Sequence, residues 1–580
     1  MFKNNCVHRS SLWSREPVGV SSAALLVFTL LLGASASRVL GGDLSVTTYM
    51  YDSYQSGVNA NETKLTPDNV KSGFGQIAAC EIDGQAYAQP LVLAGVTISG
   101  QPHNVVYTAT CHDSVYAFDA DTGAPLWHDS FLGDNITTVP NNVTRSGDIL
   151  PEIGIVSTPV IDEKSGTLYV IAKTKETGRP DAKTHYVQKI HALDVATGAE
   201  KLSGPKVIAD TSFDGDKYDG NLADNPQTPS AKGTAKDAVD GKVYINGLRN
   251  NQRCSLALYN GVVYVAWSSH GDNEPYHGWI VGFDATTLAP VPNLIFCDTP
   301  DGTKGGIWDG GAGPNIDKDG NLFICTANAP NPFNGNVQSG NVGESFLKFN
   351  TKAGLSVTAD GFDYYAPTDA QGLGNADSGV GSGGVAMVDV SGSVPHLAIE
   401  GGKNGLIYVI NRDNMGHFDA QTDHSVQILE AQGNWVMSAP IFFNNCLFYN
   451  RSGEAIKCRP YADGKFGDVM GTADGTGGRG GGPVISANGT NDGIVWIIDN
   501  GGPASLIAYK ADDLINGHGK VDALCKVRMP DGGIKFAHPI VVNGKVYACC
   551  ATARPDHTSA HLCIFGAQSG SKTMADGQSQ

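Results

Sequence analysis

Short runs that alternate apolar and polar residues recur along the whole chain, each closed by a turn. Val105-Val106-Tyr107-Thr108-Ala109-Thr110 alternates as a strand does, His112-Asp113-Ser114 turns it, and Val115 to Asp119 runs back into Ala120-Asp121-Thr122-Gly123. The phrase returns as Leu168 to Ala172 with His191 to Gly198, and again as Val262 to Trp267 with Val281 to Thr286. Weaker copies start at Leu322, Leu397, Leu447, Ile494 and Val546. Each copy opens on an apolar phrase such as Ser157-Thr158-Pro159-Val160-Ile161. Strand, strand, turn, strand with a closing Asp/Gly turn describes one four-stranded antiparallel sheet. Eight such copies, about 50–90 residues each, predict an all-β fold: a single eight-bladed β-propeller in which radial repetition protects the sheet edges. The N-terminal segment is expected to complete the last blade.

Composition sharpens this picture. Of 580 residues 73 are glycine and 28 proline, 41% are hydrophobic and only 17% charged, which suits a turn-dense chain with a real core. The net charge of −18 repels phosphate backbones and anionic membrane surfaces, so nucleic acid is excluded as a general partner. Lys3, Arg9 and Arg15 precede the apolar run Ala23 to Leu32 and the small residues Ala34-Ser35-Ala36. That order predicts a signal peptide over 1–36, with no membrane span left after cleavage, and a secreted or periplasmic protein. The propeller is expected over 37–566, with a surface insertion at about 203–241 and a disordered tail at 567–580.

Twelve cysteines suit an oxidising compartment, and loss of Cys6 would leave an odd number. Cys446 and Cys458 flank one predicted hairpin that a disulfide could close. Cys549 and Cys550 either form a vicinal disulfide or point to opposite faces of one strand. Sequons at Asn61, Asn135, Asn142, Asn450 and Asn488 permit glycosylation in a eukaryotic host.

The stretch Ala117-Phe118-Asp119-Ala120-Asp121-Thr122-Gly123-Ala124-Pro125-Leu126-Trp127 resembles the tryptophan-docking motif of quinoprotein alcohol dehydrogenases, propellers with pyrroloquinoline-quinone (PQQ) repeats. The second copy carries Leu202 in place of the tryptophan. The resemblance implies a PQQ and calcium site on the turns of the third to fifth copies. Gly271 to Trp279 stands where the family places a calcium-binding Glu, and the count back from Asp284 puts Asn273 there, with the carboxylates Asp272 and Glu274 on either side. Thr326 to Asn334 resembles the stretch whose first Asn is another calcium ligand, which Asn328 matches. Trp308 lies near the position of the tryptophan that stacks on the quinone, and Lys403 takes that of the cation at the quinone oxygens.

Two features depart from the family. Gly340-Asn341 occupies the region of the catalytic Asp, with Glu344 as the nearest downstream carboxylate, and the family's vicinal cysteine pair in the second blade is absent. The resemblance therefore implies a PQQ- and calcium-dependent oxidoreductase of alcohols or sugars with an incomplete site: Lys403 and Glu344 catalytic; Trp308, Asn328 and Lys403 on the cofactor; Asn273, Glu274 and Asn328 on the metal. No Cys-x-x-Cys-His haem motif occurs, so such an enzyme needs an external electron acceptor. The alternative is a non-catalytic propeller that binds carbohydrate, protein or cell-envelope components.

Overall fold

The computed structural model describes residues 42–213, 228–333, 337, 340–478, 480–501, 503–517, 519–554 and 557–568. The expected leader, residues 214–227 of the expected insertion and residues 569–580 of the expected tail lie outside them. Among the described residues, antiparallel sheets follow one another along the chain. The first holds Leu91–Ile98, Gln101–Ala109, Ser114–Asp119 and Pro125–Ser130. The second is built on Val160–Asp162, Thr167–Glu176, Thr184–Asp194 and Lys206–Phe213. Residues 206–213, expected in an insertion, are thus the last strand of a sheet: they pair with Thr184–Asp194, and Ile208 and Ala209 are buried on its two faces.

A two-stranded ribbon, Ser230–Lys232 with Lys242–Tyr244, follows, and the later sheets, numbered without it, repeat the order. The third runs from Ala257–Tyr259 to Pro290–Cys297, the fourth from Asn315–Ile316 to Asp363–Tyr365, and the fifth from Ala386–Asp389 to Gln427–Leu429. The sixth starts at Ile441–Phe443 and the seventh ends at Cys525–Gly532. In the eighth, Ile540–Val542, Lys545–Arg554 and His557–Ala567 are joined by a strand from the other end of the sequence, Phe74–Ile82. Its register runs antiparallel from Phe74 opposite Ala567 to Ile82 opposite Ala560. A helix leads into this strand at Pro67–Ser72, where Thr66 caps the free amides through Asn69 and Pro67 needs no amide partner.

The repeated sequence phrase explains how the sheets lock together. Asp119 Oδ1 accepts from the amides of Asp121 and Thr122 and from the Thr122 hydroxyl, so one carboxylate holds the whole turn. Asp194 and Asp284 do the same in the next two copies. The residue after each Asp then offers its carbonyl to the preceding sheet. Tyr107 donates to Val195 O at 2.9 Å, Tyr169 to Ala285 O at 2.8 Å, and Tyr547 of the last sheet to Ala120 O of the first at 3.0 Å. Trp127 adds an indole bond to Val195 O at 3.0 Å, its ring lying over Gly198. A Cβ there would stand 2.7 Å from the ring, and φ is +75°, so the Thr-Gly turn is required on both counts.

The eleven described cysteines are all thiols. Cys446 faces Pro460 and Cys458 faces Phe448, so the two lie diagonally across their hairpin. Cys549 and Cys550 turn to opposite faces: Cys549 meets Thr108 Oγ1 at 3.6 Å and Cys550 meets Cys563 Sγ at 3.7 Å. Among the sequons, Asn61, Asn135, Asn142 and Asn488 are exposed. Asn450 is not, being 2% exposed with its amide donated to Gly481 O, which leaves no room for a glycan. No helix among the described residues is long and apolar enough to cross a membrane.

Candidate functional site

In an antiparallel sheet the start of the first strand and the end of the second lie at the same end. The loops at that end converge on a cavity of about 340 Å³. Arg253 and Trp308 come from the segments before the third and fourth sheets. Asp272, Asn328 and Lys403 follow the second strands of the third, fourth and fifth. Asp148, Asp377, Trp435 and Lys535 complete the polar and aromatic wall. Trp308, Asn328 and Lys403, predicted from separate motifs, thus share one pocket.

Asn328 (φ 62°) donates its amide to Asp272 Oδ1 at 3.1 Å, while its own Oδ1 is buried without a hydrogen-bond partner. Asp272 also receives the Tyr276 hydroxyl at 2.8 Å. Burial and the neighbouring Asp272 charge push the Tyr276 hydroxyl well up, so it stays a donor. The Trp308 indole packs edge-on to Tyr276, with ring centres 6.3 Å apart. Gly306 (φ 137°) lies beneath that indole, where a Cβ would come within 2.3 Å. Lys403 pairs with Asp377, and its ammonium stands 5.8 Å from the centre of the Trp435 ring. Arg253 lies 4.2 Å from the centre of the Phe536 ring and donates to Gly310 O at 3.2 Å. Lys535 reaches Asp148 at 3.3 Å. Behind His270 sits Lys173, fully enclosed, donating to His270 Nε2 at 2.8 Å and to two carbonyls. Burial holds both well below their usual values.

Three predicted residues lie elsewhere. Gly271 and Asp272 both take left-handed backbone (φ 58° and 56°), which aims the Asp272 side chain at the pocket and turns the next two away. Asn273 spends its amide on the carbonyls of Thr144, Arg145 and His270, tying the loop down. Glu274 is exposed and accepts from the Thr303 hydroxyl at 2.8 Å. Glu344 is fully buried outside the pocket lining, accepting from the Val380 amide at 3.3 Å, with Oε1 unpartnered. Burial raises its carboxyl to about 8. The pocket carboxylates are instead Asp148, Asp272 and Asp377. Asp272 carried a sequence signal, being the acidic residue just before Asn273; Asp377 and Asp148 carried none, since each lies in a segment without a repeat phrase.

Three solved structures share this architecture. The quinohemoprotein alcohol dehydrogenase of Comamonas testosteroni aligns with a TM-score of 0.54 and 14% identity, over 92% of this chain and 82% of that one. The quinohemoprotein alcohol dehydrogenase ADHIIG of Pseudomonas putida HK5 aligns with 0.53 and 13%, over 93% and 82%. A europium-containing methanol dehydrogenase gives 0.54 and 12%, over 90% and 98%. No protein-family profile matches the chain, and no match was found among curated proteins. At these identities the likeness shows the fold, and the chain has the propeller fold of PQQ-type enzymes.

Proposed function

We propose that this chain is a secreted or periplasmic propeller of eight blades in one closed ring, whose pocket binds PQQ with calcium to oxidise a small alcohol or sugar. The convergence of Trp308, Asn328 and Lys403 on one cavity is the observation that carries this reading. The residues present fit such a group. Asn328 Oδ1 is a buried oxygen lacking a donor, next to the Asp272 carboxylate, and oxygen donors suit a hard cation. Trp308 offers an aromatic face, and Lys403, Lys535 and Arg253 offer positive charge to a planar tricarboxylate. A cavity of this size lies at the low end of small-molecule sites.

Asp272 and Asn328 would hold the metal, and Trp308 would lie against the ring system. When bound, the quinone supplies a two-electron acceptor. Lys403 stabilises negative charge at the pocket's edge, in a site walled by Trp435, Met437 and Phe536 that restricts water. Asp377, which lines the pocket beside Lys403, would accept the substrate hydroxyl proton in place of the enclosed Glu344. An external acceptor would have to take up the electrons. A second reading, a propeller that binds its ligand without turnover, is favoured by the Lys403–Asp377 pair, in which cation and carboxylate already satisfy one another.

The test is titration of the metal-free chain with PQQ and calcium, followed by calorimetry and tryptophan fluorescence, then dye reduction with short alcohols and aldoses. One equivalent bound with dye reduction supports the oxidoreductase. Calcium-dependent binding without turnover supports the second reading. No binding with calcium present overturns the cofactor assignment.

A further inference from the structure

Where the seventh sheet meets the eighth, away from the central pocket, three metal-ligating side chains come together. Asp531 lies on the last strand of the seventh sheet, and Cys550 and His561 face each other across the eighth. One donor atom from each lies within 4.8 Å of the others, the one such group among the described residues. His561 Nδ1 stands 2.7 Å from Asp531 Oδ2, which also accepts from the Ser559 hydroxyl at 3.0 Å. A second thiol, Cys563, lies 3.7 Å from Cys550.

Two chemistries compete for the thiol pair, and the register separates them. Cys550 faces His561 and Cys563 faces Ala548, so the cysteines are diagonal rather than opposite. Diagonal positions on antiparallel strands lie about 7–8 Å apart, whereas a disulfide usually needs its Cα atoms within about 4.4–6.8 Å. A bridging ion spans more. With zinc–sulfur bonds of about 2.3 Å, the tetrahedral edge between two sulfurs is about 3.8 Å, close to the separation observed. Cys446 and Cys458 form a second diagonal pair, but no group of three metal-ligating residues includes them.

We propose that Asp531, Cys550 and His561, with Cys563 beside them, form a site for a thiophilic divalent ion of the zinc class that ties the eighth sheet to the seventh. The donor set of sulfur, imidazole nitrogen and carboxylate oxygen suits zinc. Cys550 is buried while the His561 side chain is 23% exposed, so the ion enters from the histidine side. Binding expels the Cys550 thiol proton and replaces the proton shared by His561 and Asp531, whose facing atoms open toward the tetrahedral spacing of about 3.4 Å. The tie falls on the sheet completed by the N-terminal strand, where closure rests on pairing between chain ends.

The full chain, reduced and stripped of metal, is titrated with cobalt(II) and then with zinc against a chromophoric chelator. One ion per chain, a sulfur-to-cobalt charge-transfer band and a raised melting temperature reversed by chelator are expected. Cys550→Ser and His561→Gln each weaken binding by at least about tenfold, while Cys446→Ser leaves it unchanged. The proposal is overturned if reduced protein takes up no stoichiometric ion, or if binding lacks the thiolate band or survives Cys550→Ser. Peptide mapping that finds a Cys550–Cys563 disulfide in protein isolated without reductant would overturn it too.

Discussion

Replacing Glu344 with glutamine should stabilise the chain at neutral pH. Its carboxyl is fully enclosed, with one oxygen on the Val380 amide and the other unpartnered, and burial raises it from the ordinary 4.5 to about 8. A raised folded-state value means that the stability contribution is whole below pH 4.5 and is lost as pH rises toward 8. At pH 7 the folded chain retains a proton that the unfolded chain has released, an imbalance of at most about 3 kcal/mol, growing to about 5 kcal/mol above pH 8. Glutamine keeps the acceptor for Val380 and leaves the second position no worse supplied than a protonated acid does, so Glu344→Gln recovers most of that difference. Asp309 and Glu400 are a second buried carboxyl pair, raised chiefly by burial, and bend the parent curve in the same direction. The readout is therefore the difference between variant and parent. Urea unfolding of both from pH 5 to pH 9 should show curves that meet near pH 5 and diverge with rising pH. A difference that stays flat, or a variant less stable at pH 8, would refute the reasoning. Because Glu344 lies outside the pocket, the same variant should bind PQQ and calcium like the parent.

Trp127→Ala removes a ring and an indole bond from the seam between the first two sheets and should cost about 3 kcal/mol in urea unfolding; Gly198→Ala, on the other side of that contact, should destabilise through its left-handed backbone and the clash with the ring. Tyr547→Phe, which unties the last sheet from Ala120 of the first, should cost about 1 kcal/mol by the same assay. His538 is held neutral by burial, down to about 4, and its Nε2 accepts from the Gly482 amide. Its contribution is whole above pH 6.5 and is lost as pH falls toward 4, so acid unfolding should shift to lower pH in His538→Gln. Asn328→Ala should abolish the calcium dependence of PQQ binding, measured by calorimetry, while leaving the melting temperature within a few degrees of the parent.

The repeat itself was legible in the sequence. Alternation fixes which faces of a strand are buried, and the Asp-x-x-Thr-Gly turn is local chemistry, visible wherever the phrase is kept, as are the tyrosine and tryptophan that reach the corresponding turn of the next sheet. That is why Tyr107, Tyr169, Asp119 and Trp127 could be read in advance as parts of one recurring unit. Trp308, Asn328 and Lys403 were singled out by the resemblance of their motifs to quinoprotein turns, and the fold brings the three to one cavity. What the sequence left open depended on backbone handedness and on neighbours distant in the chain. Between Asp272, Asn273 and Glu274, composition gives no preference; two successive left-handed residues decide it, in a loop that Asn273 ties to the carbonyls of Thr144 and Arg145. Glu344 matched a carboxylate in the right region, yet packing encloses it, and Asp377 reaches the pocket only because the fifth sheet brings its lead-in beside Lys403. Likewise Asp531, Cys550 and His561 have no common spacing. Only the seam between two sheets, one of them closed by a strand from the far end of the chain, puts sulfur, nitrogen and oxygen within one ion's reach.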